Sequence, residues 1–258
     1  MSPAHKLTGT LGKKIHLIGQ EVVMCTNRCD GAAKRANGVI PRCLYLQPGN
    51  TNSKDSSTNQ AAGAIVVGLN PGRSVLKERV LYKGLLRQGE PLYAKTVEYL
   101  EVLFRTEHYY KATEGFVRSL CRSLYGEAWS GPLLWTELAK CELAEGQKHV
   151  PKDMATTCSR RFLSRELEAA PPEWPVFAIG RQAYDAACLM SPRRAVIGVP
   201  HTTGSWHGAF AQLCKASAKE TKEAKVMVKH IVEEVVCSTG TSWLPKDVEL
   251  RKERTRRV

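Results

Sequence analysis

Residues 64–72, with the sequence AIVVGLNPG, decide how the rest of this chain is organised. The first four are apolar and the last five are rich in turn formers, so the stretch predicts a buried strand that ends in a tight turn. In an open parallel sheet, ligands bind outside the carboxyl ends of the strands. The side chain of Asn70 is therefore predicted to lie at a ligand site.

A second stretch, far downstream, has the same pattern of an apolar run followed by turn residues. Residues 197–205 read IGVPHTTGS, in which a short apolar run ends at a turn and is followed by His201, hydroxyl side chains and glycine. This pattern again predicts a buried strand with a polar side chain at its carboxyl end. Together the two stretches outline a site with a water-positioning amide and an imidazole.

Strands and helices alternate between these two stretches. Short apolar runs at 132–136 and 175–179 predict two further strands. Helical spacing of apolar residues is found over 96–125, 151–169, 182–190 and 215–236. This order favours an α/β fold, a single three-layer αβα domain with a central, mostly parallel sheet.

The predicted domain organisation has three parts. Residues 1–60 form an amino-terminal, cysteine-bearing segment that ends in a polar loop. Residues 61–236 form the α/β core with its carboxy-terminal helix. Residues 237–258 form a basic tail.

Composition narrows the classes of partner. Among 258 residues, 38 Lys and Arg against 25 Asp and Glu give a net charge of +13, which favours a nucleic-acid partner; a generally basic surface is the alternative. No apolar stretch approaches ~20 residues and the amino terminus lacks a signal pattern, so we expect a soluble, cytoplasmic monomer without membrane contact. Nine cysteines in such a protein are thiols or metal ligands rather than disulfides.

Two motifs resemble those of the uracil-DNA glycosylase superfamily. Residues 68–72, GLNPG, are similar to the first motif of the mismatch-specific uracil/thymine glycosylases. Residues 200–205, PHTTGS, are similar to the second motif, which usually reads His-Pro-Ser, although Thr202 stands in place of the proline. The fold of that superfamily is the αβα domain predicted above.

The segments between the motifs resemble a different branch, the family 4 iron-sulfur uracil-DNA glycosylases. The similar runs are LWTELAKC at 134–141, CSRRFLSREL at 158–167 and IGRQA at 179–183. The resemblance spans roughly residues 43–210 and depends on the order and spacing of these runs.

The resemblance implies a DNA repair enzyme of base excision repair. Such an enzyme flips uracil out of single- or double-stranded DNA and hydrolyses its N-glycosidic bond, leaving an abasic site. It implies that Asn70 holds the attacking water and that His201 donates a hydrogen bond to uracil O2. Gly68 and Leu69 would line the base pocket, and Tyr82 would stack on the base.

The resemblance also implies where DNA is held. Ser205 and Trp206 occupy the place of the wedge that the superfamily inserts into the duplex. Arg73 follows the first motif closely and can neutralise a phosphate.

Glu137 departs from the family pattern, which has an asparagine at this position. An ionised carboxylate only accepts hydrogen bonds, so it suits uracil N3–H but opposes O4. Three explanations stay open: a raised pKa in a dry pocket, a base preference other than uracil, or transfer of this contact to another side chain. An exposed glutamate at the end of a strand would have no such role.

The cysteines form a second group of candidate residues. By resemblance, Cys29, Cys43, Cys141 and Cys158 would hold a 4Fe-4S cluster, with Cys25 as the alternative to Cys29. Four-thiolate zinc and buried thiols without metal are the alternatives.

A second class of function fits the same sequence. A non-catalytic or differently specific nucleic-acid-binding protein on this fold would explain Glu137 and Thr202 as marks of lost or altered activity. An unrelated nucleotide-binding enzyme is disfavoured, because residues 68–72 lack both the glycine spacing of a dinucleotide site and the lysine of a P-loop.

Overall fold

A computed structural model of the chain describes residues 10–33, 38–49, 62–88, 92–201 and 219–248. Strands β1 to β6 of this part are Tyr45–Gln47, Ala64–Gly68, Leu133–Glu137, Val176–Ile179, Val196–Val199 and Thr241–Trp243. Helices α1 to α8 are Thr10–Val23, Leu76–Gln88, Leu92–Thr106, His108–Tyr125, Lys152–Cys158, Ser164–Ala169, Arg181–Met190 and Lys219–Ser238. A π-helical turn, Ser159–Leu163, joins α5 to α6.

The strands form one mostly parallel sheet in the order β1-β3-β2-β4-β5-β6. Only β1 runs antiparallel, against β3, and the other pairs are parallel. The predicted α/β class is therefore confirmed, and the flanking helices make the arrangement consistent with a three-layer αβα domain. Because the chain goes from β2 to β3 on one side and returns to β4 on the other, β2 lies at the switch of strand order, where ligand crevices open.

The central strands are buried on both faces. Every residue of β2, β3, β4 and β5 is buried, as expected when helices cover both sides of a parallel sheet. These strands carry the apolar runs from which they were predicted. Their aliphatic side chains join those of α1, α4 and α8 in the main hydrophobic core.

Several elements differ from the sequence prediction. The single helix predicted over 96–125 is two helices, α3 and α4, separated at Glu107. Helix α2 was not predicted, because its apolar residues do not all lie on one face: Leu76 is 79% exposed and Val80 is 62% exposed, whereas Tyr82 is buried.

The ends of the domain also extend beyond the predicted core. Residues 241–243, assigned above to the basic tail, form β6 and pair in parallel with β5. Helix α1 and strand β1, within the predicted amino-terminal segment, place Ile15, Val22 and Leu46 in the main core. In the described part of the chain, no helix has the length and apolar character needed to cross a membrane.

Candidate active site

Four parallel strands end at one edge of the sheet. Gly68 at the end of β2 is paired with Glu137 at the end of β3, and Ile179 at the end of β4 is paired with Val199 at the end of β5. Asn70 and His201 each follow their strand by two residues. The polar residues singled out in the sequence are thereby brought to the same edge.

Gly68 leaves room for the carboxylate of Glu137. A Cβ atom built on Gly68 would overlap Glu137 Oε2, so no larger residue fits at position 68 while this side chain keeps its position. The backbone carbonyls of Gly68 and Leu69 accept from the amides of Leu138 and Ala139 at 2.8 and 3.0 Å. The parallel hydrogen bonding thus continues past the end of β3 and fixes the backbone at the floor of the site.

The carboxyl of Glu137 is buried. The residue is 9% exposed, and its Oε2 has no hydrogen-bond partner among the described residues. Burial raises the pKa of this carboxyl to about 7, against the opposing effects of Arg42 and Lys140. Near neutral pH the group is therefore divided between a neutral acid and a carboxylate.

Arg42 lies near Glu137 but is occupied by other partners. Its guanidinium donates to the Tyr110 hydroxyl at 2.9 Å and to Glu78 Oε1 at 3.1 Å. Tyr99 donates to the other oxygen of Glu78 at 3.0 Å. Arg42 is thus fixed in a buried ion pair and acts on Glu137 through its field, without a direct hydrogen bond.

His201 is flanked by an aromatic ring and a glycine. The ring of Tyr109, in α4, stacks on the imidazole with centroids 5.8 Å apart and planes inclined by 28°. On another side, a Cβ at Gly180 would lie 3.6 Å from His201 Cδ2. Gly180 has a φ of +92°, a conformation that favours glycine, and it is the single residue between the end of β4 and the start of α7.

Tyr109 is a site residue that the sequence analysis missed. The residue is partly buried. Removal of its hydroxyl group from water, followed by the charge of Glu137, raises its pKa well above the usual range of tyrosine. Its phenol is therefore neutral at physiological pH. The adjacent Tyr109 and Tyr110 occur within a helical apolar pattern, which is more typical of core packing than of a binding site.

The loop that carries Asn70 is held by an internal hydrogen bond and by Glu142. Asn70 Nδ2 donates to the backbone carbonyl of Pro71 at 2.8 Å, so Oδ1 is the atom of this side chain suited to orient a water molecule. Further along, the backbone amide and hydroxyl of Ser74 both donate to Glu142 Oε2, at 2.8 and 2.6 Å. Arg79 donates to Glu142 Oε1 at 2.7 Å. Glu142 therefore fastens this loop to the segment that contains Cys141.

A cavity of about 420 Å³ opens beside the same loop. Arg73 and Arg79 line it together with Glu142 and small apolar residues such as Ala32 and Val39. Arg73 is exposed at its border. This position is compatible with the phosphate contact expected of Arg73.

Tyr82 lies in a different environment from the one expected. Only 2% of the residue is exposed, and its ring contacts Tyr99 edge-on with centroids 6.0 Å apart. Burial, followed by the charge of Glu78, raises its pKa. A ring enclosed in this way has no face open to a base, whereas the ring of Tyr109 lies next to His201.

The thiols of Cys25 and Cys158 lie near enough to Cys29 to affect its titration. Burial raises the pKa of the Cys29 thiol, and the neighbouring thiols of Cys158 and Cys25 raise it further. The sulfur of Cys158 also accepts a hydrogen bond from the backbone amide of Lys140, the residue before Cys141. Cys29 and Cys158 belong to a small apolar cluster separate from the main core. As they stand, no three cysteine, histidine or acidic side chains among the described residues are arranged to hold a metal ion.

Cys43 does not join these thiols. It is 4% exposed within the main core, and burial raises its pKa to about 12. The charged groups that act on it are Glu166, Arg42 and Lys140, and it in turn raises the pKa of Tyr93. Cys25, and not Cys43, is thus among the groups that raise the pKa of Cys29 and Cys158.

The predicted wedge residues, Ser205 and Trp206, lie outside the described residues.

Comparison of the chain with protein-family models gave no match, and comparison with curated proteins gave none either. The chemistry of the site therefore stands on its residues. It offers an amide oxygen that can orient water, an imidazole, and a buried carboxyl with one unpaired oxygen.

Proposed function

We propose that this protein is a DNA glycosylase of base excision repair, which flips uracil out of DNA and hydrolyses its N-glycosidic bond. The observation that carries the proposal is the convergence of Asn70, Glu137 and His201, which are distant in sequence, at the carboxyl edge of one parallel sheet. Hydrolysis of this bond needs a positioned water, a donor for the departing base and a group that reads the base. The three side chains match these needs.

The proposed reaction proceeds at the sugar C1′ atom. The electrons of the C1′–N1 bond leave with the base, and His201 donates a hydrogen bond to O2, where negative charge develops. Asn70 Oδ1 orients a water whose oxygen adds to C1′, and the proton lost by that water is taken up by the departing base. The products are free uracil and an abasic site.

The walls of the proposed base pocket are Gly68, Leu69, Glu137 and Tyr109. Gly68 makes room for the carboxyl of Glu137, which would face the Watson–Crick edge of the base. Tyr109 takes the stacking role that the resemblance assigned to Tyr82, because Tyr109 lies beside His201 and Tyr82 is enclosed in the core. Stacking on an aromatic ring contributes about 1–3 kcal/mol for each base.

The DNA partner is supported by charge. The net charge of +13 favours a polyanion, and Arg73 lies in the loop that carries Asn70. Ser205 and Trp206 remain the predicted wedge. Uracil release from single-stranded and from double-stranded oligonucleotides measures which form of DNA is preferred.

A metal cofactor is part of the proposal. Cys25, Cys29, Cys141 and Cys158 would hold a 4Fe-4S cluster, with zinc as the alternative metal. Beyond the effect of burial, Cys158 and Cys25 raise the pKa of Cys29, and Cys25 raises that of Cys158, which supports this set over the one that includes Cys43. Such a centre would act as a cross-link between residues 25–29 and the segments after β3 and in α5.

The direct test is base release. The protein is incubated with single-stranded and double-stranded oligonucleotides that contain one uracil, and abasic sites are cleaved with alkali. We expect strand cleavage at the uracil and none in the matched oligonucleotide that contains thymine. Tight binding of both oligonucleotides without cleavage would instead support the non-catalytic nucleic-acid-binding protein.

Replacing either proposed catalytic side chain should slow the reaction strongly. Asn70→Ala and His201→Ala are each expected to lower single-turnover uracil release by about 10²-fold or more, the scale of losing one positioned group. His230→Ala serves as the control, because His230 is exposed on α8. Circular dichroism should show that all three variants are folded. Near wild-type rates in both site variants would show that the catalytic residues lie elsewhere.

A further inference from the structure

The carboxyl of Glu137 has an unmet hydrogen-bonding need within the described part of the protein. Its Oε2 is buried, lacks a partner among the described residues, and lies against Gly68 at the edge where the proposed reaction takes place. An unpaired buried carboxyl oxygen carries a desolvation cost. A group supplied by the ligand would remove that cost.

The charged neighbours of Glu137 do not neutralise it directly. On the side of β1, Arg42 is committed to Tyr110 and Glu78. After β3, Lys140 Nζ contacts the backbone carbonyl of Glu137, at 2.6 Å, and pairs with Glu166 of α6. Two tyrosines of α4, Tyr109 and Tyr110, complete the surroundings, and in addition to burial the charge of Glu137 raises the pKa of both. The ring of Tyr109 also stacks on His201.

We infer that Glu137 binds the flipped base as a neutral carboxylic acid and thereby selects bases that present a ring N–H beside a carbonyl oxygen. A neutral carboxyl has one acceptor and one donor, the same pair that a side-chain amide offers. Its carbonyl oxygen accepts from N3–H of uracil, and its hydroxyl donates to O4. The carboxylate has no donor and faces O4 with a lone pair. This inference rests on the proposed function and names the class of base that the site takes.

The inference has a definite sign for the effect of pH. With a pKa of about 7, Glu137 is neutral below that pH and ionised above it. Uracil excision should therefore be greatest below pH 7 and fall as pH rises, because only the neutral form is matched to the base. For a reaction that needs the neutral form, the protonated fraction predicts a fall of about 25-fold from pH 6.5 to pH 8.5.

The test compares the wild type with Glu137→Gln, which keeps an acceptor and a donor but does not titrate. Single-turnover release of uracil is measured from pH 6.5 to pH 8.5 in both proteins. We expect the wild-type rate to fall and the Glu137→Gln rate to stay level. Glu137→Ala, as a second variant, should be about 10-fold to 100-fold slower than wild type at pH 6.5 and also level with pH.

A binding measurement separates base recognition from the chemical step. Fluorescence anisotropy is measured with an oligonucleotide that contains 2′-fluoro-2′-deoxyuridine, in which the fluorine opposes formation of the cationic sugar. The affinity of the wild type should fall over the same pH range, after subtraction of the change seen with a thymine oligonucleotide. The affinity of Glu137→Gln should not show this extra fall.

The outcomes distinguish the inference from the proposed function. If uracil is released but the wild type is level with pH, or if Glu137→Gln falls in parallel with it, the inference is overturned and the proposed function stands. A parallel fall would assign the titration to another group, such as His201. If neither protein releases uracil at any pH, the proposed function fails and this inference fails with it.

Discussion

Replacing Lys140 by methionine is expected to lower the free energy of unfolding by about 3–5 kcal/mol. Lys140 and Glu166 are 1% and 0% exposed, and their Nζ and Oε2 atoms are 2.5 Å apart. Nζ also donates to Thr136 Oγ1 and to the backbone carbonyl of Glu137. Without the lysine, the carboxylate of Glu166 remains buried without its cation, and this uncompensated charge is the source of the loss.

Three comparisons make this prediction specific. Lys95→Met makes the same substitution in the exposed Lys95–Glu98 pair and should change stability by less than about 1 kcal/mol. The double variant Lys140→Met with Glu166→Leu should recover much of the loss, because it removes both charges. Urea unfolding followed by circular dichroism measures all of these. A Lys140→Met variant as stable as Lys95→Met would show that the buried pair contributes nothing.

Replacing Cys158 by alanine is expected to abolish metal binding. If four thiolates hold a 4Fe-4S cluster, the purified wild type contains iron and absorbs visible light, and loss of one ligand removes both properties. Cys29→Ala and Cys25→Ala should behave in the same way. Zinc in place of iron would give a colourless protein in which the same variants lose zinc.

Cys43→Ala is the matched control for that experiment. Cys43 and Cys158 are equally buried, at 4% exposed, but Cys43 lies in the main core and Cys158 in the separate small cluster that Cys29 packs against. We expect Cys43→Ala to keep its metal. Loss of metal from Cys43→Ala with retention in Cys25→Ala would instead favour the ligand set first expected from the sequence, and elemental analysis that finds neither iron nor zinc in the wild type would refute the metal centre altogether.

The sheet was the part of the fold most readily predicted from sequence. Strands β2 to β5 are short apolar runs bounded by glycine or proline, and such runs are typical of parallel strands buried on both faces. Strand β6 was missed, because it has three residues and only Ser242 is fully buried. The break between α3 and α4 was missed for a different reason. Neither Glu107 nor His108 is a glycine or a proline, the residues that usually interrupt a helix, and the apolar periodicity continues across them.

Only those site residues that lie at the end of a strand, or directly after it, could be predicted from the sequence. Asn70, Glu137 and His201 come directly at or after predicted strands, so topology alone places them at one edge. Tyr109 could not be found in this way, since it lies in a helix and reaches His201 through tertiary packing. Tyr82 shows the converse: its spacing after the first motif suggested a binding role, whereas the packing of α2 encloses it.

The grouping of the thiols depended on packing in the same way. Spacing suggested Cys43, because it precedes the first motif at a suitable distance. Its place just before β1 fixes it against the buried charges of Arg42 and Glu166. Cys25, which follows α1, is instead close enough to act on Cys29 and Cys158. The spacing of the cysteines along the sequence does not reveal which of them are close in the fold.

The order of the strands has a consequence for biosynthesis. Strand β2 pairs with β3 and β4, which both emerge from the ribosome later, and His201 emerges later still, after β5. Parallel pairing across long connections is slow, so a nascent chain carries Asn70 and Glu137 for some time before the imidazole of His201 can join them. In a refolding experiment, catalytic activity should therefore report completion of the sheet, and it should appear after the helical signal has already been regained.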